Sequence, residues 1–461
     1  MISTNSGRII SRFSLIFPNL PFGDSILKYD CIFTFRENSK TLYGYCFHLF
    51  NMILRMKHIQ YLFILSLILL VSSCGHKLEK KRFAVWDYEY MHEVRKKIRK
   101  GNSNYKPAYD KVISAADEAL KRGPYSVTFK SIVPPGGTIH DYMSMGPYWW
   151  PDSSKPDGLP FIRRDGEVNP ESSIDKEQLR GLIEDVRNLT LAWYFSGEKE
   201  YAEKAAELLR AWFLDPETIM NPHLEFAQGI PGRTAGRGIG IIDTRQFVTL
   251  VDAILLLESS AALRHGEEKQ IREWFAAFFE WLTTSQHGKD EDAWPNNHSV
   301  AYDAQVTAIA RFLGNDLYVA EKITAMPAKR IDRMIRADGR QPEELIRTKA
   351  FSYSVSNLAN FFDAGETGLK VDVNIFNYNS PDGASLKNAL EFLAKYLGRS
   401  AEWSWDQIDG WEQAENNLGL LIRRAGRYYG NPEYQIIWEQ AFAGKLNDHW
   451  SLLVIPGLER P

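Results

Sequence analysis

An all-α fold, drawn as an α/α toroid of six or seven helical hairpins with long irregular loops lining a central groove, is what this sequence predicts. Three observations lead there. From Trp86 onward nearly every apolar run repeats at helical spacing, the runs come in pairs separated by short turns, and few segments alternate with the period of two that a sheet requires. No fixed repeat motif is present, which argues against the common solenoid families and for hairpins closing into a ring.

The chain has 461 residues, 44% hydrophobic and 25% charged, an ordinary globular balance, and its net charge of −3 gives no argument for a nucleic-acid partner. Aromatics are abundant, with 13 Trp, 21 Tyr and 25 Phe. That suits clefts holding flat-faced ligands such as sugar rings, and it equally suits an aromatic core.

The first elements are a targeting signal and a tether. From Met56 the chain reads MKHIQYLFILSLILLVSSCG: a basic start at Lys57, an apolar stretch from Tyr61 to Val71, then small residues before Cys74. The apolar run is too short to span a bilayer comfortably. Val71-Ser72-Ser73-Cys74 resembles a bacterial lipoprotein signal, cut before a cysteine that is then lipidated. Residues 1–55 are accordingly expected to be a mis-called extension, 56–73 the signal peptide, 74–85 a tether and 86–461 one domain. Of Cys31, Cys46 and Cys74 only the last would survive processing, leaving no disulfide and no thiolate metal site. The expected location is the bacterial periplasm or outer membrane, with the membrane a partner through the lipid.

The helices follow in order. Leu189 to Pro216, LTLAWYFSGEKEYAEKAAELLRAWFLDP, reads as two amphipathic runs broken at Ser196-Gly197 and stopped by proline. Gly240 to Leu263 reads as one long helix, followed by EEKQIREWFAAFFEWLTTS. Further runs are expected at 299–313, 317–336, 354–362, 384–397 and 415–429. The segment from Pro134 to Ser173 is too rich in proline and glycine for regular structure, and a loop of that length in a compact domain usually carries function.

Four segments carry candidate chemistry. In the long loop, Tyr142, Tyr148, Trp149 and Trp150 stand beside His140 and Asp141, with Arg163 and Arg164 further on. Aromatic faces between hydrogen-bonding groups make a pyranose platform and arginine forks bind carboxylates, although the same rings could plug the loop onto the helices. A second segment, NPHLEFAQGIPGRTAGRGIGIIDTRQF, brings Asn221, His223, Gln228, Arg233, Arg237 and Arg245 onto a glycine-rich turn before a helix. It reads as a site for the carboxylates of an acidic polymer or, alternatively, as a salt-bridge network. The third is DAWPNNHSVAYDAQ, with Asn297-His298 where a helix begins, and the fourth is DGRQPEELIRTKAFSYSVSNLANFF, with Arg347 and Tyr353. Asn296 or Asn297 as a plain N-cap, His298 as a satisfied helix histidine and Tyr353 as a core aromatic are the structural alternatives. This set lacks the obvious carboxylate pair of a glycoside hydrolase, for which Asp141 with Asp303 would have to converge. It does hold what β-elimination from a uronic acid needs: donors for a carboxylate, and Tyr and His for proton transfer.

HDYMSMGPYWWPD, the Asn297-His298 pair and RTKAFSYSVSNL resemble the alginate lyase superfamily of α/α-toroid polysaccharide lyases, over roughly Tyr105 to Leu420. The resemblance is closest to polysaccharide lyase family 38, with the family 5 alginate lyases more distant. It implies a site of Asn297, His298, Arg347 and Tyr353. Tyr353 would be base and acid with His298, and Asn297 and Arg347 would neutralise the carboxylate. His140, Tyr142, Tyr148, Trp149, Trp150, His223, Gln228, Arg233 and Arg237 are the expected substrate-binding residues. The step from Arg347 to Tyr353 is one shorter than in family 5, and Ser352 stands where many relatives carry histidine. The expected partner is an acidic polysaccharide or oligosaccharide, alginate or glucuronan, and no metal or other cofactor is expected. A glycan-binding lipoprotein of a polysaccharide-utilisation system, without catalysis, is the alternative.

Overall fold

The computed structural model describes residues 9–14, 28–33 and 82–458. Two compact units divide the chain, Met1–Lys77 and Leu78–Pro461. In the first, strands Ile9–Ser14 and Lys28–Phe33 pair antiparallel. The expected signal peptide and Cys74 lie outside the described residues.

In the second unit, helices Lys176–Ser196, Phe247–Leu257, Asn297–Leu313, Ala350–Leu369 and Trp411–Tyr429 pack one against the next as an inner layer. Each is followed by an outer helix: Lys199–Phe213, Glu267–Thr284, Asp316–Met326, Leu386–Ala394 and Pro432–Ile437. The expected all-α toroid of hairpins is therefore the fold. The break at Ser196-Gly197 falls where expected, because Gly197 caps its helix at φ 92, a left-handed conformation that costs glycine little. The Asn297–Leu313 helix is buried on almost every side; from Asn297 to Phe312 only His298 escapes burial.

Three expected helices are shorter than their patterns; of these, the 384–397 run is α-helical only over Leu386–Ala394. Gly240–Leu263 begins as a 3-10 turn, Gly238–Thr244, and is α-helical only over Phe247–Leu257. A Cβ on Gly240 would sit 2.6 Å from the Ala227 carbonyl, so the strand Phe226–Gly229 presses on this turn. The 317–336 run is α-helical over Asp316–Met326 and then widens at Pro327, which cannot donate to the ladder.

The two ends of this unit meet away from the site described below. Asp87 N–H donates to the Val454 carbonyl at 2.9 Å and the Tyr90 hydroxyl to the Leu452 carbonyl at 2.8 Å. Just before them, the backbone N–H groups of Ala84, Val85 and Trp86 all donate to the buried carboxylate of Asp252, at 2.7, 2.9 and 2.8 Å. Arg82 lies against Gly314, which caps the C-terminal end of the Asn297–Leu313 helix.

Candidate active site

The long loop is irregular but pinned. Its strand Met143–Met145 runs parallel to Phe226–Gly229, and Trp149–Trp150 pairs antiparallel with Ile162–Arg163. Gly146 has no room for a side chain: a Cβ there would lie 2.5 Å from the Trp149 ring and 2.7 Å from the Arg237 guanidinium. This loop, the turn from Arg237 to Arg245, the start of the Asn297–Leu313 helix and one face of the Ala350–Leu369 helix enclose a cleft of about 620 Å³. Asn297, His298, Arg347 and Tyr353 all line it. Tyr353, Ser356 and Asn360 share a helix face through their three- and four-residue spacing.

Asn296 is the N-cap, accepting from the His298 N–H at 3.2 Å in extended conformation, and this leaves Asn297 free for another use. Its backbone N–H and side-chain Nδ2 donate to the two oxygens of Glu344, at 2.6 and 2.7 Å. Burial pushes the Glu344 carboxyl up to about 7 against the pull of those bonds. One amide N–H and the amide oxygen of Asn297 remain for a ligand.

His298 places Nδ1 2.9 Å from Oε1 of Glu291, a fully buried carboxylate whose Oε2 has no partner among the described residues. Burial raises the Glu291 carboxyl, and the imidazole opposes the rise. The ring's Nε2 is thereby left for the cleft.

Arg347 is less free than expected. Its Nε and Nη2 donate to Asp165 of the long loop at 3.2 and 3.1 Å, and its guanidinium lies 4.3 Å from the centre of the Tyr353 ring. Burial would raise the Asp165 carboxyl, but hydrogen bonds and charge from Arg347 and Arg163 prevail and hold it at about 2. The Nη1 edge of Arg347 stays available. The Tyr353 hydroxyl is 2.6 Å from the Tyr148 hydroxyl, and burial pushes its phenol well above the ordinary range, with Arg347 opposing.

The remaining expected ligands divide. Tyr148, Trp149, Gln228 and Arg237 line the cleft. His140, Tyr142, Trp150, His223 and Arg233 stand outside that lining. Trp150 points away because successive residues of a strand face opposite sides: Trp149 is inward, while Trp150 donates to the Glu167 carbonyl beneath Arg164. Tyr142 is a core residue, 0% exposed, with its hydroxyl on Asp243. His140 is held by the Ile219 carbonyl at 2.8 Å and His223 by Asp141 at 3.1 Å. Arg233 backs Trp149 from behind, 5.3 Å from the ring centre, and donates to the Phe161 carbonyl. Asp141 and Asp303 belong to separate buried networks, with Asn221 and His223 and with Arg330, and neither lines the cleft.

Charge in the cleft is one-sided. Among the described residues Arg163, Lys176, Arg237, Arg245 and Arg347 line it, against Glu343 as the one lining carboxylate. Arg237 and Arg245 form no ion pair with a described residue; Arg237 donates instead to the Gln228 carbonyl at 2.8 Å. Burial lowers the Arg237 guanidinium to about 10, still charged at neutral pH. Lys176 and Trp294, which line the cleft, and Asp165, Glu291 and Glu344, which bond to residues that line it, were not singled out from the sequence. Glu291 had a faint signal, seven positions before His298, whereas nothing in the sequence joined Glu344 to Asn297.

The family described as alginate lyase matches residues 126–403. The crystal structure of an alginate lyase from Bacteroides ovatus is 39% identical, with a TM-score of 0.78, covering 81% of this chain and 98% of that one. Alginate lyase A1-III from Sphingomonas species A1 is 15% identical, with a TM-score of 0.51 over 77% of this chain and 90% of that one, a likeness of fold alone. No curated protein matches the chain.

Proposed function

Because the chain belongs to the alginate lyase family and is a polysaccharide lyase, we propose that it depolymerises alginate by β-elimination in the cleft around Tyr353 and His298. Glucuronan, which carries the same C5 carboxylate, is the second substrate to consider. The observation that carries the proposal is the convergence of Asn297, His298, Arg347 and Tyr353, from separate segments, on one cationic cleft. The N-terminal sequence pattern supports lipidation at Cys74 and a periplasmic or outer-membrane position.

The C5 proton of a uronate is weakly acidic because its neighbouring carboxylate is already negative. The Nη1 edge of Arg347, the remaining amide N–H of Asn297 and the unpaired charge of Arg237 and Arg245 offset that charge as an enolate-like intermediate develops. In mannuronate or glucuronate the C5 proton and O4 lie on the same side. Tyr353, ionised, takes the proton; the electrons form the C4–C5 double bond, the C4–O4 bond breaks, and the phenol returns the proton to O4. In guluronate the two lie on opposite faces, so His298 Nε2 takes the proton and Tyr353 protonates O4. Ionised Glu291 supports this second route, since accepting Nδ1–H fixes the tautomer with a lone pair on Nε2.

Glu291→Gln is therefore expected to lower kcat/KM on polyguluronate by about ten- to a hundredfold, with a smaller loss on polymannuronate. Equal losses on both polymers would remove the division of labour between His298 and Tyr353. The proposal as a whole is tested by ultraviolet absorbance of 4,5-unsaturated uronate, on protein beginning after Cys74, against polymannuronate, polyguluronate and glucuronan separately. Absorbance rising on one of them names the substrate. A flat trace on all three with binding retained would make the protein a glycan-binding one instead.

A further inference from the structure

We propose that the groove between helix Tyr88–Arg99 and the C-terminal segments of the second unit is a second, non-catalytic binding site for acidic saccharide, separate from the cleft. The inference rests on the reading of the ligand as a uronate chain. The groove has a volume of about 660 Å³, against about 620 Å³ for the cleft. Lys97, Asn104, Tyr105, Arg423, Trp438 and Asn447 are among the residues lining it. It lies well away from the reaction. Gly410 caps the start of the Trp411–Tyr429 helix, and a Cβ there would sit 3.8 Å from the hydroxyl of Ser352, which lines the cleft. Arg423 stands twelve positions after Trp411, about 18 Å along the helix axis.

The groove repeats the residue types of the cleft, where Trp149, Arg237 and the amides of Gln228 and Asn297 stand together. Arg423 forms no ion pair with a described residue. Two of its five N–H groups go to neutral oxygens, the Ile455 carbonyl at 2.6 Å and the Tyr90 hydroxyl at 3.1 Å. Lys97 adds a second cation, 5.6 Å from the centre of the half-buried Tyr105 ring. Glu439 is the one lining carboxylate among the described residues, and it accepts from Gln435 at 2.7 Å. Arg99 and Lys100, exposed beside the groove, also lack ion-pair partners among the described residues, so an acidic chain is drawn towards it.

The amides decide which anion fits. Beyond the Tyr88–Arg99 helix the chain turns at Gly101, φ 78; the Asn102 N–H donates to the Lys97 carbonyl at 3.0 Å and the Asn104 N–H to Asn102 Oδ1 at 2.9 Å. The backbone under Asn104 is thereby fixed. Its side-chain amide, like that of Asn447, bonds no described residue and offers two donors and an acceptor to adjacent ring hydroxyls. Tyr105 offers a face to the apolar side of a pyranose, and Arg423 and Lys97 offer charge to its carboxylate. A phosphate-bearing lipid surface would use the cations alone. A polymer segment held here keeps the rest of its chain near the cleft between cuts.

Calorimetry on Tyr353→Phe, which holds substrate without turning it over, tests this with hexasaccharides of mannuronate, guluronate and glucuronate in turn. Two sites per protein chain are expected on at least one of them. Adding Asn104→Ala and Asn447→Ala removes no side-chain hydrogen bond within the described protein. It should weaken one site about five- to a hundredfold, the span for two lost hydrogen bonds, and leave the other unchanged. In the otherwise wild-type chain the same two substitutions should raise KM on polymer and leave kcat unchanged. A single site in Tyr353→Phe, or two sites indifferent to the asparagine substitutions, overturns the inference while wild-type turnover stands. So does loss of binding to phosphatidylglycerol vesicles with both saccharide sites intact, which would make the groove a membrane contact. A wild type that releases no unsaturated uronate, yet binds at two sites of which the asparagine substitutions weaken one, overturns the elimination proposal and leaves this one standing.

Discussion

Tyr353→Phe is expected to lower kcat by about two to four orders of magnitude, the contribution of a positioned general acid and base, on whichever uronate polymer the wild type cleaves. The substitution removes only a hydroxyl from a ring that remains packed beneath Arg347. Polymer affinity should therefore persist, supplied by Arg237, Arg245 and Trp149, none of which touches the phenol oxygen in the hydrogen bonds seen here. Turnover followed by absorbance and binding followed by calorimetry separate the two effects. A variant that binds poorly and turns over in proportion would assign Tyr353 to sugar recognition, and one retaining a tenth of wild-type activity would move the proton chemistry to His298.

The second large effect is on stability. Asp252→Ala leaves the N–H groups of Ala84, Val85 and Trp86 unpaired in the interior. At about 1–3 kcal/mol for each buried donor left unsatisfied, the loss should reach about 3 kcal/mol or more, and Tm should drop by several degrees. The same carboxyl shapes the pH dependence. Burial raises it from 3.8 to about 6 in spite of the three donors. Its bound proton thus favours the folded chain: that contribution is complete below about pH 4 and is lost as pH rises through 6. Thermal melts across this window should show wild-type stability declining with pH, and the variant should show a shallower decline. An unchanged slope would mean that Asp175, raised to about 6 by burial as well, dominates instead.

The parts of this molecule that repeat were readable in its sequence, and the parts that depend on a single distant contact were not. Apolar periodicity located the paired helices because burying one face is a property of the segment itself. It overran at Gly240 and at Pro327, where a close backbone approach and a missing N–H override the pattern. Asn297, His298, Arg347 and Tyr353 were singled out through the resemblance, and all four line the one cleft. The alternation that turns Trp149 inward and Trp150 outward rests on a two-residue strand, too short to leave a pattern. Glu291 and Glu344 were invisible for another reason: a glutamate on a helix is ordinarily at the surface, and these two are buried only because His298 and Asn297 meet them.

The knot of backbone around Asp252 also decides how this enzyme can be handled. Arg82 lies against Gly314 at the C-terminal end of the Asn297–Leu313 helix and residues 84–86 are fastened to Asp252, whereas the cleft is lined from the N-terminal end of the Asn297–Leu313 helix. Residue 82 thus lies at the opposite end of that helix from the cleft. Trimming into 84–86 to make a tidier N-terminus would unpick the fastening itself.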